Sequence, residues 1–217
     1  MRSPACAAPA ATFAAFAFAA CQSSVTTPFP AGLEPFEDAD TPGTLPEIRQ
    51  EALQTSGRSD DIIRAYGRGF IFGAPAAVWA AAKVPEAMAA RCNTSSQTYM
   101  LNNEPQHELS FLVHYVVNDL LTVEWDDQWR GDVIEGASAT PDLVMIKHQK
   151  VQGSSFIKRS DGSIQLFATD NPNLTELWFV EHLDAISGST ADVVGGMKDN
   201  FDAMAAVVRG QPIPPCS

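Results

Sequence analysis

The stretch ELWFVEHLD, residues 176–184, places two acids around a histidine inside an otherwise apolar run. Glu181, His182 and Asp184 are residue types that carry general acid–base catalysis. Successive side chains of a β-strand point to opposite faces, so Glu181 would face one side of a sheet while His182 and Asp184 face the other. This alternation argues against a catalytic cluster. It leaves Glu181 as a single candidate on the more apolar face.

The other histidines form no recognisable site. His114 opposes the apolar face of its strand, and His107 and His148 have no second ligand two or four residues away. The sequence also lacks G-x-S-x-G, a Walker loop and H-E-x-x-H. We therefore expect no catalytic residue set, no metal and no cofactor.

Two tryptophans in TVEWDDQWRGD, residues 122–132, share one face of a predicted strand. Trp125 and Trp129 have the same parity as Leu121 and Val123, so all four would lie on an apolar face. Such a face either packs in the core or lines a cavity. The pattern leaves both interpretations open.

The N-terminus has the features of an exported protein. The first twenty of the 217 residues hold one cation, Arg2, followed by an Ala/Phe-rich stretch without acids. This is typical of a signal peptide and too short for a membrane span. Phe18–Cys21 resembles the bacterial lipoprotein box, which implies a lipid on Cys21 and, with Gln22, sorting to the outer membrane. Ordinary cleavage that leaves a mature chain starting at Ala20 is the alternative.

The charge of the mature chain restricts its partners. Removal of residues 1–20 leaves 13 basic residues against 26 acidic ones. Such a surface repels phosphate backbones and anionic lipid headgroups, so nucleic acid is not expected as a partner. Membrane attachment would come from the lipid on Cys21, which predicts a location in the bacterial cell envelope, on the periplasmic side. A protein partner is not identified by the sequence.

The chain divides into four predicted regions. Residues 1–20 are the signal peptide and residues 212–217 a Pro-rich tail. Residues 21–59 are rich in Ser, Thr, Pro, Gly and acids, which predicts a flexible tether with a possible short helix at Leu45–Leu53. The alternative is an arm packed on the domain through apolar side chains: Phe29, Leu33 and Phe36. Residues 60–211 form the folded domain.

Hydrophobic periodicity within the domain predicts a strand, two short helices, a run of strands and a long helix. The first strand is Ile62–Phe72, and the helices start at Pro75 and Pro85. Ser160-Asp161-Gly162 is interpreted as a hairpin turn. The later strands are His107–Val117, Leu121–Trp129, Leu143–Val151, Phe156–Arg159, Ile164–Thr169 and Leu174–Ile186. A capping box at Ser189 and Asp192 precedes the last helix, Thr190–Arg209.

This order resembles the helix-grip fold of the SRPBCC superfamily, which includes START lipid-transfer domains, the birch-pollen allergen family and polyketide cyclase-like proteins. The resemblance covers residues 60–210. It lies in GFIFGAPAAVWAAAKVPEAM, TELWFVEHLDA and VVGGMKDNFDAMAAVVRG. It implies an α+β fold in which a curved antiparallel sheet holds the long helix on its concave face.

Many members of that superfamily bind hydrophobic molecules between the sheet and the helix. The resemblance therefore implies that the chain binds a hydrophobic small molecule, and we expect the cavity to be lined by aromatic residues and Glu181. The expected ligand-binding residues are Tyr66, Phe70, Tyr115, Trp125, Trp129, Phe179, Glu181 and Phe201. Two other functions stay open. One is a cyclase- or hydrolase-type enzyme that uses Glu181 with Tyr115 or Tyr66, and the other is an envelope lipoprotein with a filled core that acts through a protein partner.

The resemblance also places the first strand beside the last one. Arg64, Tyr66 and Arg68 share one parity on the first strand. A buried Glu181 needs a cation or a hydrogen-bond donor, because burial penalises its charge. We expect a structural ion pair between Glu181 and Arg68, with a polar ligand anchor as the alternative.

The cysteines favour one disulfide. Cys6 belongs to the signal peptide and Cys21 is the expected lipid site, so Cys92 and Cys216 remain, without zinc-site spacing. Two remaining cysteines in an oxidising compartment typically form a disulfide. Two unpaired thiols are the alternative. In the fold that the resemblance implies, the two short helices form a cradle under the end of the long helix. The Pro-rich tail would then bring Cys216 to Cys92.

Overall fold

A computed structural model describes residues 26–27, 41–101, 104–118 and 120–216. Eight strands and three α-helices follow one another in this part of the chain. They are β1 (Leu53–Ser59), β2 (Ile63–Ile71), α1 (Pro75–Ala82), α2 (Pro85–Met88), β3 (Ser96–Leu101), β4 (Leu109–Asn118), β5 (Thr122–Ala137), β6 (Thr140–Gly153), β7 (Ile157–Ala168), β8 (Thr175–Ala185) and α3 (Thr190–Val208). A 3₁₀ turn at Thr41–Thr44 precedes them.

The strands form one antiparallel sheet in the order β1-β2-β8-β7-β6-β5-β4-β3. The sheet curves around α3, and α1 and α2 pack beside that helix. The face of the sheet toward α3 is called the inner face here. This arrangement confirms the predicted α+β helix-grip fold.

Helix α3 begins at the predicted capping box. The Ser189 side chain accepts a hydrogen bond from the Asp192 amide, and the Asp192 carboxylate accepts one from the Ser189 amide. Its apolar stripe packs against β2 at two glycines. A Cβ at Gly67 would lie 2.8 Å from Met197 Cε, and a Cβ at Gly69 would lie 2.8 Å from Phe201 Cε2. Only glycine allows so close an approach of the helix to the sheet.

The folded domain extends further toward the N-terminus than predicted. The helix predicted at Leu45–Leu53 is not present, and β1 starts at Leu53 and pairs with β2 along its whole length. Residues 53–59 therefore belong to the sheet and not to a tether. The segment before them also packs on the outer face. Leu45 contacts Tyr66 and Val180, and the Leu45 carbonyl accepts a hydrogen bond from Arg68.

The turn predicted at Ser160-Asp161-Gly162 is wrong. Strand β7 runs without interruption through these residues, which pair with β8 on one side and, at Asp161 and Gly162, with β6 on the other. Turn-forming residue types are tolerated here for a specific reason. Gly162 lies under the side chains of its two cross-strand neighbours, His148 and Glu181. Asp161 is hydrogen-bonded to His182.

Cys92 and Cys216 form a disulfide, with a Cα–Cα distance of 5.1 Å and a sequence separation of 124. This confirms the predicted pairing. The signal peptide, Cys21 and the arm residues Phe29, Leu33 and Phe36 lie outside the described residues. Within the described residues, no helix combines the length and the apolarity needed to span a membrane.

Candidate functional site

Six of the eight predicted ligand-binding residues lie on the inner side of the sheet or on the helix face above it. The register of β8 against its neighbours puts Phe179 and Glu181 on the inner face, as the alternation predicted. The other four are Tyr115, Trp125, Trp129 and Phe201.

Tyr66 and Phe70 are on the wrong face for this role. They pair with Val180 and Glu176 of β8, whose side chains point away from α3. Tyr66 packs there against Leu45. Their bulk suggested an inner position, but the middle of the inner face of β2 carries Gly67 and Gly69, against which α3 packs closely. They are therefore not part of an internal site.

Glu181 pairs with His148 and not with Arg68. His148 Nε2 lies 3.0 Å from each carboxylate oxygen of Glu181, and both residues are buried. Arg68 lies on the outer face and bonds Glu176 at 2.6 Å. The predicted Glu181–Arg68 ion pair is therefore wrong, because the two side chains point to opposite sides of the sheet. The need of Glu181 for a buried partner was inferred correctly.

His148 is held in place by its neighbours. The indole of Trp129 stacks on the imidazole, with ring centroids 4.2 Å apart. The second ring nitrogen, Nδ1, makes no hydrogen bond and lies 3.8 Å from Asp127 Oδ2. This fixes a line of three ionisable groups, Asp127, His148 and Glu181, on the inner face.

Asp127 is the least satisfied member of this line. It is fully buried, and neither carboxylate oxygen has a hydrogen-bond partner. Lys150 faces it across the β5–β6 pair, but the Lys150 amine donates to the carbonyls of Ser154 and Ile157. Burial raises the pKa of Asp127, while the charges of His148 and Arg91 act to lower it. Asp127 is thus an acid that favours its neutral form more than an ordinary aspartate does.

Arg91 brings a permanent positive charge to the same region. It follows α2, and its guanidinium lies over the ring of Tyr115 at 5.5 Å. Burial would lower the pKa of Arg91, but its electrostatic interactions with Tyr115, Glu181 and Asp127 raise it above its ordinary value. Tyr115 is fully buried, and its hydroxyl donates to the Ala89 carbonyl.

Several buried polar atoms of this region lack partners. Buried polar groups are nearly always hydrogen-bonded, so an accumulation of unpaired ones indicates a place for another molecule, water included. On the inner side the unpaired atoms are Arg91 Nε, Trp125 Nε1, both Asp127 oxygens, Trp129 Nε1 and His148 Nδ1. We call Arg91, Asp127, His148 and Glu181 the interior charged cluster.

A pocket of about 380 Å³ opens beside the interior charged cluster. We call it the mouth pocket. It lies between the start of α3, the Arg91–Asn93 turn and the adjacent ends of β4, β5, β7 and β8. Its apolar lining is Val117, Val123, Trp125, Phe156, Ile157, Leu183 and Ala185. Arg91 is the one cation among the described residues that line it. Of the eight predicted ligand-binding residues, only Trp125 lines this pocket.

The remaining inner aromatic residues are packed against one another. Trp129 stacks on Phe111 with centroids 5.7 Å apart, and Tyr115 stacks on Trp125 at 5.1 Å. Phe179 and Phe201 are buried in the same core. Apart from Trp125, these residues fill the core between the sheet and α3 and do not line the mouth pocket.

His182 and Asp161 form a separate pair on the outer face. His182 Nδ1 lies 2.7 Å from Asp161 Oδ1, and Arg159 Nε donates to Asp161 Oδ2. His182 and Glu181 thus point to opposite sides of the sheet, as the alternation predicted. The described residues contain no group of three or more His, Cys, Asp or Glu side chains that could hold a metal ion.

Asp127, His148 and Arg91 were missed as site residues. Asp127 shares parity with Trp125 and Trp129, and His148 is two residues beyond Ile146, so the alternation of both strands contained the signal. Arg91 lies in a turn, where no periodicity indicates the direction of a side chain. Its position becomes evident only from the packing of α2 against α3.

Comparison with known proteins adds evidence on the fold. No family model matches the sequence, and no curated protein matches it. Solved structures do match. A STAR-related lipid transfer protein from Xanthomonas axonopodis is 11% identical with a TM-score of 0.52, covering 74% of this chain and 95% of that one. A human StarD13 (DLC2) lipid transfer and protein localization domain is 8% identical with a TM-score of 0.50, covering 75% and 85%. The chain thus has a START-like helix-grip fold.

Proposed function

We propose that this chain binds a hydrophobic small molecule in the mouth pocket. The observation that carries the proposal is the pocket itself. Its volume of about 380 Å³ falls in the range of about 300–1,000 Å³ that is typical of small-molecule sites. A mostly apolar wall with a few polar groups is the usual composition of such sites.

The fold supports the proposal. The two similar structures are named for lipid transfer. Fold likeness at this identity does not carry function over, so the proposal rests on the pocket of this chain. The ligand would lie against Trp125, with the interior charged cluster behind it.

Two measurements test the proposal. Mass spectrometry of an organic extract of the purified protein is expected to find a co-purifying hydrophobic molecule, and a neutral naphthylamine fluorophore is expected to bind. Ala185→Trp fills the pocket and should weaken fluorophore binding about tenfold, which is about 1.4 kcal/mol. Ala137→Trp, at the exposed end of β5, is the matched control. Absence of both a co-purifying molecule and fluorophore binding would contradict the proposal.

We further propose that the chain is exported and attached to the bacterial outer membrane through a lipid on Cys21. The Cys92–Cys216 disulfide supports export, because disulfides persist in oxidising compartments. Detergent partitioning of the full chain is expected to place it in the detergent phase, and Cys21→Ser in the aqueous phase. Equal partitioning of the two, or a soluble mature chain that starts at Ala20, would contradict the anchor.

A cyclase- or hydrolase-type enzyme is the second candidate. The line of Asp127, His148 and Glu181 favours it, since a buried acid with a raised pKa beside a histidine, as Asp127 is here, is common in active sites. The pairing of Glu181 with Tyr66 is excluded by their opposite faces, and Tyr115 already donates to a backbone carbonyl. If the wild type converts the co-purifying molecule into a product and Glu181→Gln does not, the result would support an enzyme. Turnover that persists would contradict a role for Glu181.

An envelope lipoprotein with a filled core is the third candidate. The mutual stacking of the inner aromatic residues is what such a protein would show. The mouth pocket favours ligand binding over this candidate, because a protein with a filled core does not need an apolar opening that reaches Trp125. Failure of the fluorophore to bind would favour this candidate.

A further inference from the structure

Arg91 is the one cation among the residues that line the mouth pocket. No carboxylate of the described residues forms an ion pair with it, and its Nε is buried without a hydrogen bond. A charge next to an apolar wall is costly unless opposite charge compensates it, and for Arg91 the compensation comes from Glu181 and Asp127 without a direct ion pair. The surroundings of Arg91 thus leave it able to pair with a negatively charged group.

The position of Arg91 is fixed by the contacts of the peptide group that joins it to Cys92. The next residue, Cys92, is bridged to Cys216, and its amide donates to Asp199 Oδ2 at 2.8 Å. The Arg91 carbonyl accepts hydrogen bonds from Thr94 and from the Gln97 side chain. A rigid turn of this kind reduces the entropy that the side chain loses when it binds a partner.

The acids near Arg91 form no ion pair with its guanidinium. The Glu181 carboxylate is bonded through both oxygens to His148, and burial raises the pKa of Asp127. At the rim of the pocket, the Asp192 carboxylate accepts hydrogen bonds from the amide and hydroxyl of Ser189. Each acid around the pocket is thus either engaged elsewhere or biased toward its neutral form.

These contacts point to the head group of the ligand. We propose that the mouth pocket takes a single-chain amphiphile with a carboxylate head, which pairs with the Arg91 guanidinium while its chain lies on the apolar wall. This rests on the proposed function. The planar fork of arginine matches a carboxylate with two parallel hydrogen bonds. A dianionic phosphate fits less well, because one cation faces it, with Asp127 and Glu181 close behind.

Competition against the neutral fluorophore tests the inference. Decanoate, decanol and decylamine share one chain and differ only in the head group. At pH 7 decanoate is ionised, since carboxyl groups titrate near pH 4 to 5. We expect decanoate to displace the fluorophore at a concentration about tenfold lower than decanol, which is about 1.4 kcal/mol, because a hydrogen bond to a charged group is stronger than one to a neutral group. Decylamine should be the weakest competitor.

Variants of the cation complete the experiment. Arg91→Gln should remove the preference for decanoate over decanol. Arg91→Lys keeps a positive charge and should retain most of the preference. Arg58→Gln removes the same charge from an exposed side chain on β1 that lies over Tyr66 on the outer face, and it should bind like the wild type.

The outcomes separate the inference from the proposed function. If the fluorophore does not bind the wild type, the proposed function fails. If it binds and is displaced equally by decanoate and decanol, the function stands and the carboxylate preference is wrong. A preference that survives in Arg91→Gln would also overturn the role of Arg91. The wild-type comparison needs no variant, so it holds even if Arg91→Gln does not fold.

Discussion

His148 on β6 and Glu181 on β8 form a buried pair that reaches across the strand between them. Nε2 of His148 lies 3.0 Å from both carboxylate oxygens. The residue of β7 that lies between them in the register is Gly162. A Cβ at that position would lie 2.3 Å from Nε2 and 2.6 Å from Oε1 of Glu181. The pair therefore depends on a glycine in the middle of a strand.

Gly162→Ala is expected to destabilise the domain by about 1–3 kcal/mol, because the added methyl group separates two buried partners that cannot move away. Denaturant titration measures the free energy of unfolding. Gly195→Ala is the matched control. A Cβ at Gly195 on α3 meets nothing within 4 Å, and alanine is favoured over glycine in a helix by up to about 1 kcal/mol. A Gly162→Ala chain as stable as the wild type would show that the pair is not formed as described.

Asp161 should make stability depend on pH. Burial would raise the pKa of Asp161, but hydrogen bonds from His182 and Arg159 bring it below its ordinary value of 3.8. A carboxylate with a lowered folded-state pKa stabilises the fold above its unfolded pKa, and this contribution is lost as the pH falls through the folded pKa.

Asp161→Asn is therefore expected to lose about 2 kcal/mol of unfolding free energy at pH 7, and the difference from the wild type should shrink below about pH 4. Chemical denaturation at several pH values measures it. Asp60→Asn, which removes an exposed pair with Arg58, should change stability by less than about 0.5 kcal/mol. A difference that stays constant down to pH 2 would contradict the assignment.

The disulfide should contribute strongly to stability. Closing a loop of this length removes chain entropy worth up to about 4–5 kcal/mol from the unfolded state. Cys216→Ser should lower the unfolding free energy by up to that amount, and reduction of the wild type should have the same effect. The variant itself should be insensitive to reductant. Thiol counting on a denatured, unreduced chain starting at Gln22 should find none, and two free thiols would contradict the bridge.

Leu45 tests whether the segment before β1 is part of the domain. It packs on Tyr66 and Val180, so Leu45→Ala should cost about 1 kcal/mol. Leu120 at the β4–β5 hairpin is 95% exposed, and Leu120→Ala should have no measurable effect on the unfolding free energy. Equal stability of the two variants would mean that residues 41–50 belong to the tether that the composition predicted and not to the folded domain.

The sequence predicted the elements that bury a clear apolar face. The stripe of α3 and the alternation of β8 were both correct, because one side of each is apolar and the other polar. The edge strands β1 and β3 were missed, since LQTSGRS and SQTYML expose most of their side chains and bury too little to show a period. Edge strands form through their neighbours rather than through their own hydrophobicity.

The candidate site was harder to predict, for two physical reasons. Bulky Tyr66 and Phe70 looked like inner residues, but glycines face α3 on that strand and the bulky side chains are covered from outside. Arg91 enters the site from a turn, where its direction follows from the disulfide at Cys92 and from tertiary contacts. Periodicity identifies the faces of strands, but it does not locate groups that arrive from loops.

The Cys92–Cys216 bridge makes a covalent ring that contains β3 to β8 and α3, while β1, β2, α1 and α2 stay outside it. A protease that cuts once within the ring, for example at the exposed hairpin around Leu120, opens the ring without releasing a fragment. A cut before Cys92 separates the N-terminal strands from the rest. If the N-terminus is fixed to a membrane, one cut anywhere within the ring would leave the whole molecule covalently attached there. One cut near α2, before Cys92, would leave the rest of the domain held only by noncovalent contacts.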